Sequence, residues 1–262
     1  MAFLELDHVS VIFPAVQGLL SSRKSASVVA VDGVSLSVEK GEILGLVGES
    51  GCGKSTLSRT VMLLQKPTEG RIFLEGEELT ALSASEVRKR RPDFQMVFQD
   101  PYASLNPRFT VYARLKEALQ CRRRKRTFAQ TRDDVAELME KVGLSPSLMR
   151  KYPHEFSGGQ RQRVAIARAL APEPRLVIAD EPVSALDVSI QSQILNLLIA
   201  LARDLGLTMI FISHDLSVVH YIADRIAVMR QGRIVEYGEA DKVFSSPAHE
   251  YTRALLAAVP RL

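Results

Sequence analysis

Short apolar runs alternate with amphipathic stretches along this chain. Three continuous apolar runs have the length of strands that are buried on both faces, and they lie at residues 43–47, 176–179 and 209–212. Between them, apolar residues recur at helical spacing in residues 55–64, 131–142 and 190–205. Strands that alternate with amphipathic helices indicate a mostly parallel sheet covered by helices. The pattern therefore predicts an α/β fold.

The two ends and the middle of the chain have different patterns. Residues 3–13 and 28–38 have the spacing of strands, and residues 225–238 predict a hairpin that turns at Gln231 and Gly232. Residues 17–27 are rich in serine and predict a surface loop. Residues from about 106 to 156 have no strand pattern, so we expect a helical insert there.

The composition of the 262 residues, 46% hydrophobic and 24% charged, is that of a globular protein. No apolar run approaches the ~20 residues that cross a bilayer, and the first ten residues lack the order of a secretory signal. The two cysteines, Cys52 and Cys121, are too few for a disulfide framework or a four-ligand zinc site. We therefore expect a cytosolic compartment.

Positive charge is clustered, although the net charge is only +4. The clusters lie at residues 88–91 and 122–126. Such runs are most often solvated faces, and contact with nucleic acid or an anionic membrane surface is the alternative. The charge alone does not decide between these interpretations.

A glycine-rich sequence follows the first buried run and precedes a helical pattern. It fits the phosphate-loop pattern G-x-x-x-x-G-K-[ST], and its residues are Gly48, Glu49, Ser50, Gly51, Cys52, Gly53, Lys54, Ser55 and Thr56. Glycines let backbone N–H groups surround a phosphate, and a helix N-terminus adds partial positive charge. We expect Lys54 to reach the β- and γ-phosphates and the Ser55 hydroxyl to bind Mg²⁺.

Two carboxylates follow the second buried run, namely Asp180 and Glu181. Ligands of open α/β sheets bind at the carboxyl ends of the strands. Because adjacent strand residues point to opposite faces, we expect Asp180 and Glu181 to have different tasks. Asp180 fits an outer-sphere role toward magnesium, and Glu181 fits the group that polarises an attacking water.

A second anion-binding helix N-terminus distinguishes this chain from kinases, GTPases and motors that also have phosphate loops. Ser157 is a good N-cap, and the glycines after it expose the backbone N–H groups of the first turn. An ordinary capped helix would explain the serine but not the run that follows it, which is Gly158, Gly159 and Gln160.

With these motifs in this order, the chain resembles an ATP-binding-cassette (ABC) protein over nearly its whole length. Gln99 matches the glutamine of the family's Q-loop, and residues 156–160 are similar to its signature motif, with Phe156 where leucine is usual. Asp180 and Glu181 match the Walker B motif and its catalytic glutamate.

Three further positions resemble family motifs. Residues 184–187 resemble the D-loop, which ends at Asp187. His214 resembles the switch histidine, although a single histidine is more often solvated. Phe13 lies near the position of the adenine-stacking aromatic, and burial in the core is the alternative for it.

The resemblance implies an α/β P-loop NTPase core of the RecA type, with an N-terminal antiparallel β part and an inserted α-helical subdomain. We expect the core to begin with residues 1–98, the helical signature subdomain to occupy 99–160, the core to resume over 161–235, and a short extension to follow at 236–262. It also implies binding of ATP and Mg²⁺, with Gln99 near the metal or the water and His214 near the γ-phosphate. Two such subunits would dimerise head to tail, and the signature helix of one would face the ATP of the other.

Longer strings resemble the dipeptide, oligopeptide and nickel importer branch of the family. They lie at residues 99–108, 152–156, 180–191 and 247–256. This resemblance implies a peripheral ATPase subunit at the cytoplasmic face of the bacterial inner membrane. Its partners would be two membrane permease subunits, a second and non-identical ATPase, and indirectly an extracytoplasmic solute-binding protein. Several relatives in this branch carry a cysteine-rich C-terminal extension with an iron–sulfur cluster, and we expect none here because no cysteine follows Cys121.

Peptide is the favoured cargo, and nickel, opines or another small solute is the alternative. A soluble ABC ATPase that acts on DNA or ribosomes is a further alternative, supported only by the basic clusters. The long coiled coil, the zinc-binding cysteines and the duplicated cassette of those classes are absent from the sequence. We therefore expect no nucleic-acid partner.

Overall fold

The computed structural model describes residues 2–14, 27–122 and 125–258, apart from the side chains of residues 102 and 103. The strands, in chain order, are β1 (Leu4–Phe13), β2 (Val28–Val38), β3 (Ile43–Val47), β4 (Glu69–Leu74), β5 (Glu77–Glu78), β6 (Phe94–Val97), β7 (Leu176–Asp180), β8 (Thr208–Ser213), β9 (Arg225–Arg230) and β10 (Arg233–Glu239).

The α-helices alternate with these strands along most of the chain. They are α1 (Lys54–Val61), α2 (Ala84–Arg90), α3 (Pro101–Ser104), α4 (Val111–Leu119), α5 (Phe128–Lys141), α6 (Gly158–Leu170), α7 (Val188–Leu205), α8 (Leu216–Ile222), α9 (Ala240–Ser245) and α10 (Glu250–Ala257). Short 3₁₀ turns lie at Arg91–Asp93, Pro146–Arg150 and Pro153–Glu155.

The chain divides into two compact units. The first unit joins Met1–Val87 to Phe211–Leu262, and the second unit is Arg88–Ile210. In the first unit, β2, β1, β4 and β5 form an antiparallel sheet in that order, and Leu4 of β1 pairs with Val38 and with Leu74. Strand β9 of the same unit pairs in parallel with β3 and in antiparallel with β10.

The second unit contains a parallel strand pair and the helices α3 to α7. Its strands β6 and β7 are in register from the pair Phe94 and Leu176 to the pair Val97 and Ala179. Between residues 98 and 175, the described residues form helices and turns and no strand. These observations confirm an α/β fold with mostly parallel pairing beside a separate N-terminal antiparallel sheet.

Apolar burial explains why the predicted elements form where they do. Every residue of β3, β7 and β8 is buried, as expected for strands covered on both faces. Helix α7 buries one stripe of residues and exposes its other face, and the stripe consists of Ile194, Leu195, Leu198, Leu201 and Ala202. Helix α1 ends at Val61, three residues before the predicted end, because Leu63 has a left-handed φ of 52°.

The hairpin at residues 225–239 is confirmed together with its turn. Gln231 has φ 48° and Gly232 has φ 83°, and two successive left-handed residues match the twist of a tight antiparallel hairpin. The predicted surface loop lies outside the described residues, except for Ser27.

The basic clusters are partly neutralised inside the second unit. Arg90 and Arg122 both pair with Asp93, and Arg126 lies 3.6 Å from a carboxylate oxygen of Asp134. Arg123 and Arg124 lie outside the described residues. Among the described residues, no helix combines the length and the apolar character needed to span a membrane.

Candidate nucleotide-binding and hydrolysis residues

The predicted phosphate loop joins β3 to α1 in the first unit. Gly48 has φ 159° and Gly53 has φ 110°. A Cβ atom at Gly48 would overlap the carbonyl oxygen of Met229, and one at Gly53 would overlap the carbonyl oxygen of Ala30. The loop conformation therefore requires glycine at both positions.

Lys54 is the first residue of α1, and only 5% of its surface is exposed. Its Nζ donates hydrogen bonds to the carbonyl oxygens of Gly48, over 2.6 Å, and of Glu49, over 3.0 Å. The ammonium group is thus held against the loop by the loop's own backbone. Ser55 is exposed and Thr56 is half-buried in the first turn of the same helix.

Two segments from the end of the chain support this loop, and the sequence patterns did not predict either contact. The N–H of Gly232, in the β9–β10 turn, donates to the carbonyl oxygen of Cys52 over 2.9 Å. The N–H of Glu49 donates to the hydroxyl oxygen of Tyr251, in α10, over 3.1 Å. The guanidinium of Arg230 lies 4.9 Å from the centre of the Tyr251 ring. Tyr251 lies in a string that resembles the importer branch, but no sequence spacing places it near residue 49.

Cys52 lies within the phosphate loop, close to the ammonium group of Lys54. Burial raises the pKa of the Cys52 thiol, and this effect outweighs the opposing charge of Lys54, whose Nζ lies 3.9 Å from Sγ. The side chain is buried, with 8% exposure. The neutral thiol is therefore favoured at Cys52, because removal from water disfavours the charged form.

The other predicted site residues of the first unit are Phe13 and His214. Phe13 ends β1 opposite Val28 and is 40% exposed, so the alternative that it packs in the core is wrong. His214 follows β8 and is exposed. The next residue, Asp215, is the N-cap of α8. Its carboxylate accepts hydrogen bonds from the backbone N–H groups of Ser217 and Val218.

The paired carboxylates lie at the end of β7 in the second unit. Asp180 is the last strand residue and is 8% exposed. Glu181 lies outside the strand and has a left-handed φ of 45°, so the argument from strand alternation fails for this pair. The turn, and not the strand pleat, separates the two side chains. Gln99 Nε2 donates a hydrogen bond to Glu181 Oε2 over 3.1 Å, which brings two predicted site residues together.

The signature motif forms the N-terminus of α6, as predicted. The hydroxyl of Ser157 accepts from the N–H of Gln160 over 3.3 Å, and the side-chain oxygen of Gln160 accepts from the N–H of Ser157 over 3.1 Å. This reciprocal capping box gives Gln160 a structural role within its own unit. Phe156, which replaces the usual leucine, is buried.

The two signature glycines have different surroundings. A Cβ atom at Gly159 would lie 2.6 Å from Cγ2 of Ile190, in α7, whereas one at Gly158 would lie 3.4 Å from Cδ2 of Leu186. Gly159 therefore lets α6 approach α7 closely, and Gly158 has space for a methyl group. Asp187 is exposed at the N-cap position of α7, and its side chain makes no capping hydrogen bond.

The predicted magnesium ligands are divided between the two units, with Ser55 in the first and with Gln99 and Asp180 in the second. Among the described residues, no group of three or more His, Cys, Asp or Glu side chains is placed to hold a metal ion. Magnesium prefers a few protein oxygens completed by phosphate and water, and the predicted donors Ser55, Gln99 and Asp180 supply oxygens of that kind.

These features define the P-loop class of nucleotide-binding proteins. Residues 31–184 match the family model described as ABC transporter, and residues 235–262 match the model of the oligopeptide/dipeptide transporter C-terminal region. The chain belongs to the ABC transporter family, as one of its ATP-binding-cassette ATPases.

The named relatives agree with this assignment. The oligopeptide transport ATP-binding protein AppF of Bacillus subtilis (strain 168) is 53% identical over 98% of this chain and 78% of its own length. The oligopeptide transport ATP-binding protein OppF of Salmonella typhimurium is 54% identical over 88% of this chain and 69% of its own length. Among solved structures, the dimeric post-hydrolysis state of the ATP-binding cassette MJ0796 bound to ADP and Pi has a TM-score of 0.79 and 29% identity, over 90% of this chain and 98% of that chain.

Proposed function

We propose that this chain is the ATP-binding and ATP-hydrolysing subunit of a bacterial importer for dipeptides or oligopeptides. The observation that carries the proposal is the match of residues 235–262 to the oligopeptide/dipeptide transporter C-terminal region. This region contains Tyr251, which contacts the phosphate loop, so the part that is typical of peptide transporters also supports the nucleotide-binding residues. Relatives named for oligopeptide transport support the same cargo.

The phosphate loop binds the ATP phosphates in this proposal. Backbone N–H groups between Gly48 and Thr56 and the helix dipole of α1 favour the negative charge. Lys54 exchanges its bonds to the loop carbonyls for phosphate oxygens, because a charged acceptor makes the stronger hydrogen bond. The exposed ring of Phe13 stacks on the adenine.

Magnesium, when bound with ATP, neutralises charge that develops on the phosphates during hydrolysis. Ser55, Gln99 and Asp180 would supply its protein oxygens or hold its waters. Glu181 accepts a proton from the attacking water, and Gln99 orients its carboxylate through the hydrogen bond between them. His214 donates to the γ-phosphate.

The proposed assembly contains more than this chain. A second, related ATPase pairs with it head to tail, so that Ser157, Gly158, Gly159, Gln160 and Asp187 face the nucleotide of the partner. The dimeric MJ0796 structure supports such a pairing by similarity. Two membrane permease subunits and, indirectly, an extracytoplasmic solute-binding protein complete the importer, at the cytoplasmic face of the inner membrane. Residues 99–160 act as the helical subdomain between residues 1–98 and 161–235, and residues 236–262 form the extension.

Uptake of labelled peptides by cells that lack this chain tests the proposal. Wild-type chain should restore uptake of dipeptides or of longer peptides, and Glu181→Gln chain should not. Restored uptake of nickel or an opine, with peptide uptake unchanged, would favour the alternative cargo. Co-purification with nucleic acid instead of membrane subunits would contradict the importer.

A further inference from the structure

The carboxylate of Glu236, in β10, accepts two backbone hydrogen bonds from the segment that leads into α10. The N–H of Ala248 donates to Oε1 over 2.7 Å, and the N–H of His249 donates to Oε2 over 3.0 Å. Hydrogen bonds to a charged acceptor are stronger than those between neutral groups, and both oxygens of this carboxylate are used. Glu236 therefore fixes the start of α10 against β10.

The first turn of α10 is closed by two more side chains. Nδ1 of His249, the N-cap residue, accepts from the N–H of Tyr251 over 3.1 Å. Arg253 donates to the carbonyl oxygens of Pro247 and Ala248, over 3.1 Å and 2.9 Å. Because N–H and carbonyl groups of this short segment are both bonded, the Tyr251 side chain is held in a fixed relation to β10.

Tyr251 connects this segment to the phosphate loop. Its hydroxyl oxygen accepts from the N–H of Glu49 over 3.1 Å, and only 6% of the tyrosine is exposed. The carbonyl oxygen of Glu49 accepts from the N–H of Cys52 over 3.3 Å and from Nζ of Lys54 over 3.0 Å. Both backbone polar groups of Glu49 are thus bonded, one to α10 and the other within the loop. These contacts form a continuous chain from Glu236 to the phosphate loop, and all of them lie in the first unit.

We propose that Glu236 is a positioning residue for ATP binding, and this inference rests on the proposed function, in which the phosphate loop binds ATP. Glu236 holds α10 so that the Tyr251 hydroxyl keeps Glu49, and with it the first half of the loop, in the conformation that receives the phosphates. A site that is already ordered loses less conformational entropy when its ligand binds, so its affinity is higher. The guanidinium of Arg230 also contacts the Tyr251 ring, so the loss of Glu236 alone should weaken the hold on the loop without abolishing it.

Glu236→Ala tests the inference, because it removes both acceptors. It should raise the Kd for ATP about two- to fivefold, within the effect of one lost hydrogen bond. Calorimetric titration of the full chain with ATP and Mg²⁺ measures the affinity. Amide hydrogen exchange measures the contact itself, and the N–H of Glu49 should exchange faster in the variant.

Two further variants separate the role of this carboxylate from a general effect on β10. Glu239→Ala is the matched control, because Glu239 is a carboxylate of the same strand that makes no capping hydrogen bond to α9. It should change neither the ATP affinity nor the exchange at Glu49. Glu236→Gln keeps the length of the side chain and one acceptor oxygen, so its Kd should lie between those of the wild type and Glu236→Ala.

The link through Tyr251 is tested in the Tyr251→Phe background, where Glu236→Ala should have no further effect on ATP affinity. The same loss with and without the tyrosine hydroxyl would overturn the inference, and so would wild-type affinity or wild-type exchange at Glu49 in Glu236→Ala. If the alanine variant does not fold, Glu236→Gln is compared in the same two backgrounds by the same criteria. If the wild-type chain did not bind ATP, the proposed function would fail first. Wild-type binding that the loss of Glu236 leaves unchanged defeats this inference alone.

Discussion

The side-chain amide of Gln99 donates a hydrogen bond to Oε2 of Glu181 over 3.1 Å, across 82 positions of the sequence. Gln99 follows β6 and Glu181 follows β7, and these strands are parallel neighbours. Residues that follow parallel neighbouring strands meet at the same edge of a sheet. The left-handed φ of Glu181 then directs its carboxylate in a way that a continued strand would not.

Glu181→Gln should lower kcat for ATP hydrolysis by roughly two to four orders of magnitude, the usual effect of losing a general base. ATP affinity should change little, because the amide keeps the shape of the side chain and an acceptor for Gln99. Steady-state hydrolysis and binding of a fluorescent ATP analogue measure the two effects. Glu173→Gln is the matched control, because Glu173 also has a left-handed φ, of 54°, in the same unit. Equal losses in both variants would show that the effect is not specific to residue 181.

Lys54→Ala should abolish ATP binding at micromolar concentrations. The variant loses the ammonium group that the loop carbonyls of Gly48 and Glu49 hold in place. Calorimetric titration with ATP measures the loss, and Lys40→Ala, at an exposed turn, should bind ATP normally. Normal ATP affinity in the Lys54 variant would exclude this lysine from phosphate binding.

Gly159→Ala should destabilise the chain by about 1–3 kcal/mol, the usual cost of overpacking. The new methyl group would lie 2.6 Å from Cγ2 of Ile190. In the control variant Gly158→Ala, the new methyl group would lie 3.4 Å from Cδ2 of Leu186, so this variant should be tolerated. Urea denaturation of both variants tests the difference. Ile190→Ala removes Cγ2, so it should restore part of the stability lost in Gly159→Ala. Failure of that rescue would mean that Ile190 is not the source of the strain.

Tyr251→Phe should weaken ATP binding about two- to tenfold, because one hydrogen bond contributes about 0.5–1.5 kcal/mol. The N–H of Glu49 donates a hydrogen bond to the Tyr251 hydroxyl over 3.1 Å, and phenylalanine removes this acceptor. Tyr237→Phe is the control, since that hydroxyl bonds to the carbonyl of Ser37 and not to the phosphate loop. It should lower stability without changing ATP affinity. Equal ATP affinities for the two variants would contradict a role of α10 in the loop.

Maleimide should label Cys121 much faster than Cys52 at pH 7. Cys121 is exposed, whereas burial raises the pKa of Cys52 and keeps it as the neutral thiol. Because the thiolate is the reactive form, labelling of Cys52 should accelerate as the pH rises toward and beyond the usual thiol range. Mass spectrometry of Cys121→Ala chain at several pH values measures this rate. Rapid labelling of Cys52 at pH 7 would contradict the raised pKa.

The sequence alone determined the class of this protein and most of its elements. Runs such as residues 43–47 and 176–179 are apolar throughout and have the length of strands that are covered on both faces. The phosphate loop, the signature motif and the hairpin turn at Gln231 and Gly232 are likewise local. Their conformations depend on glycine and capping residues within a few positions of one another.

The tertiary structure decided the contacts between distant residues. Gly232 and Tyr251 support the phosphate loop from positions about 180 to 200 residues away, and no periodicity in the sequence pairs them with it. The tertiary structure also raised the pKa of Cys52, since burial depends on the packing of other segments, whereas the sequence shows only the neighbouring lysine, which has the opposite effect. Local patterns specify backbone conformation, whereas desolvation and long-range hydrogen bonds arise only when separate elements pack together.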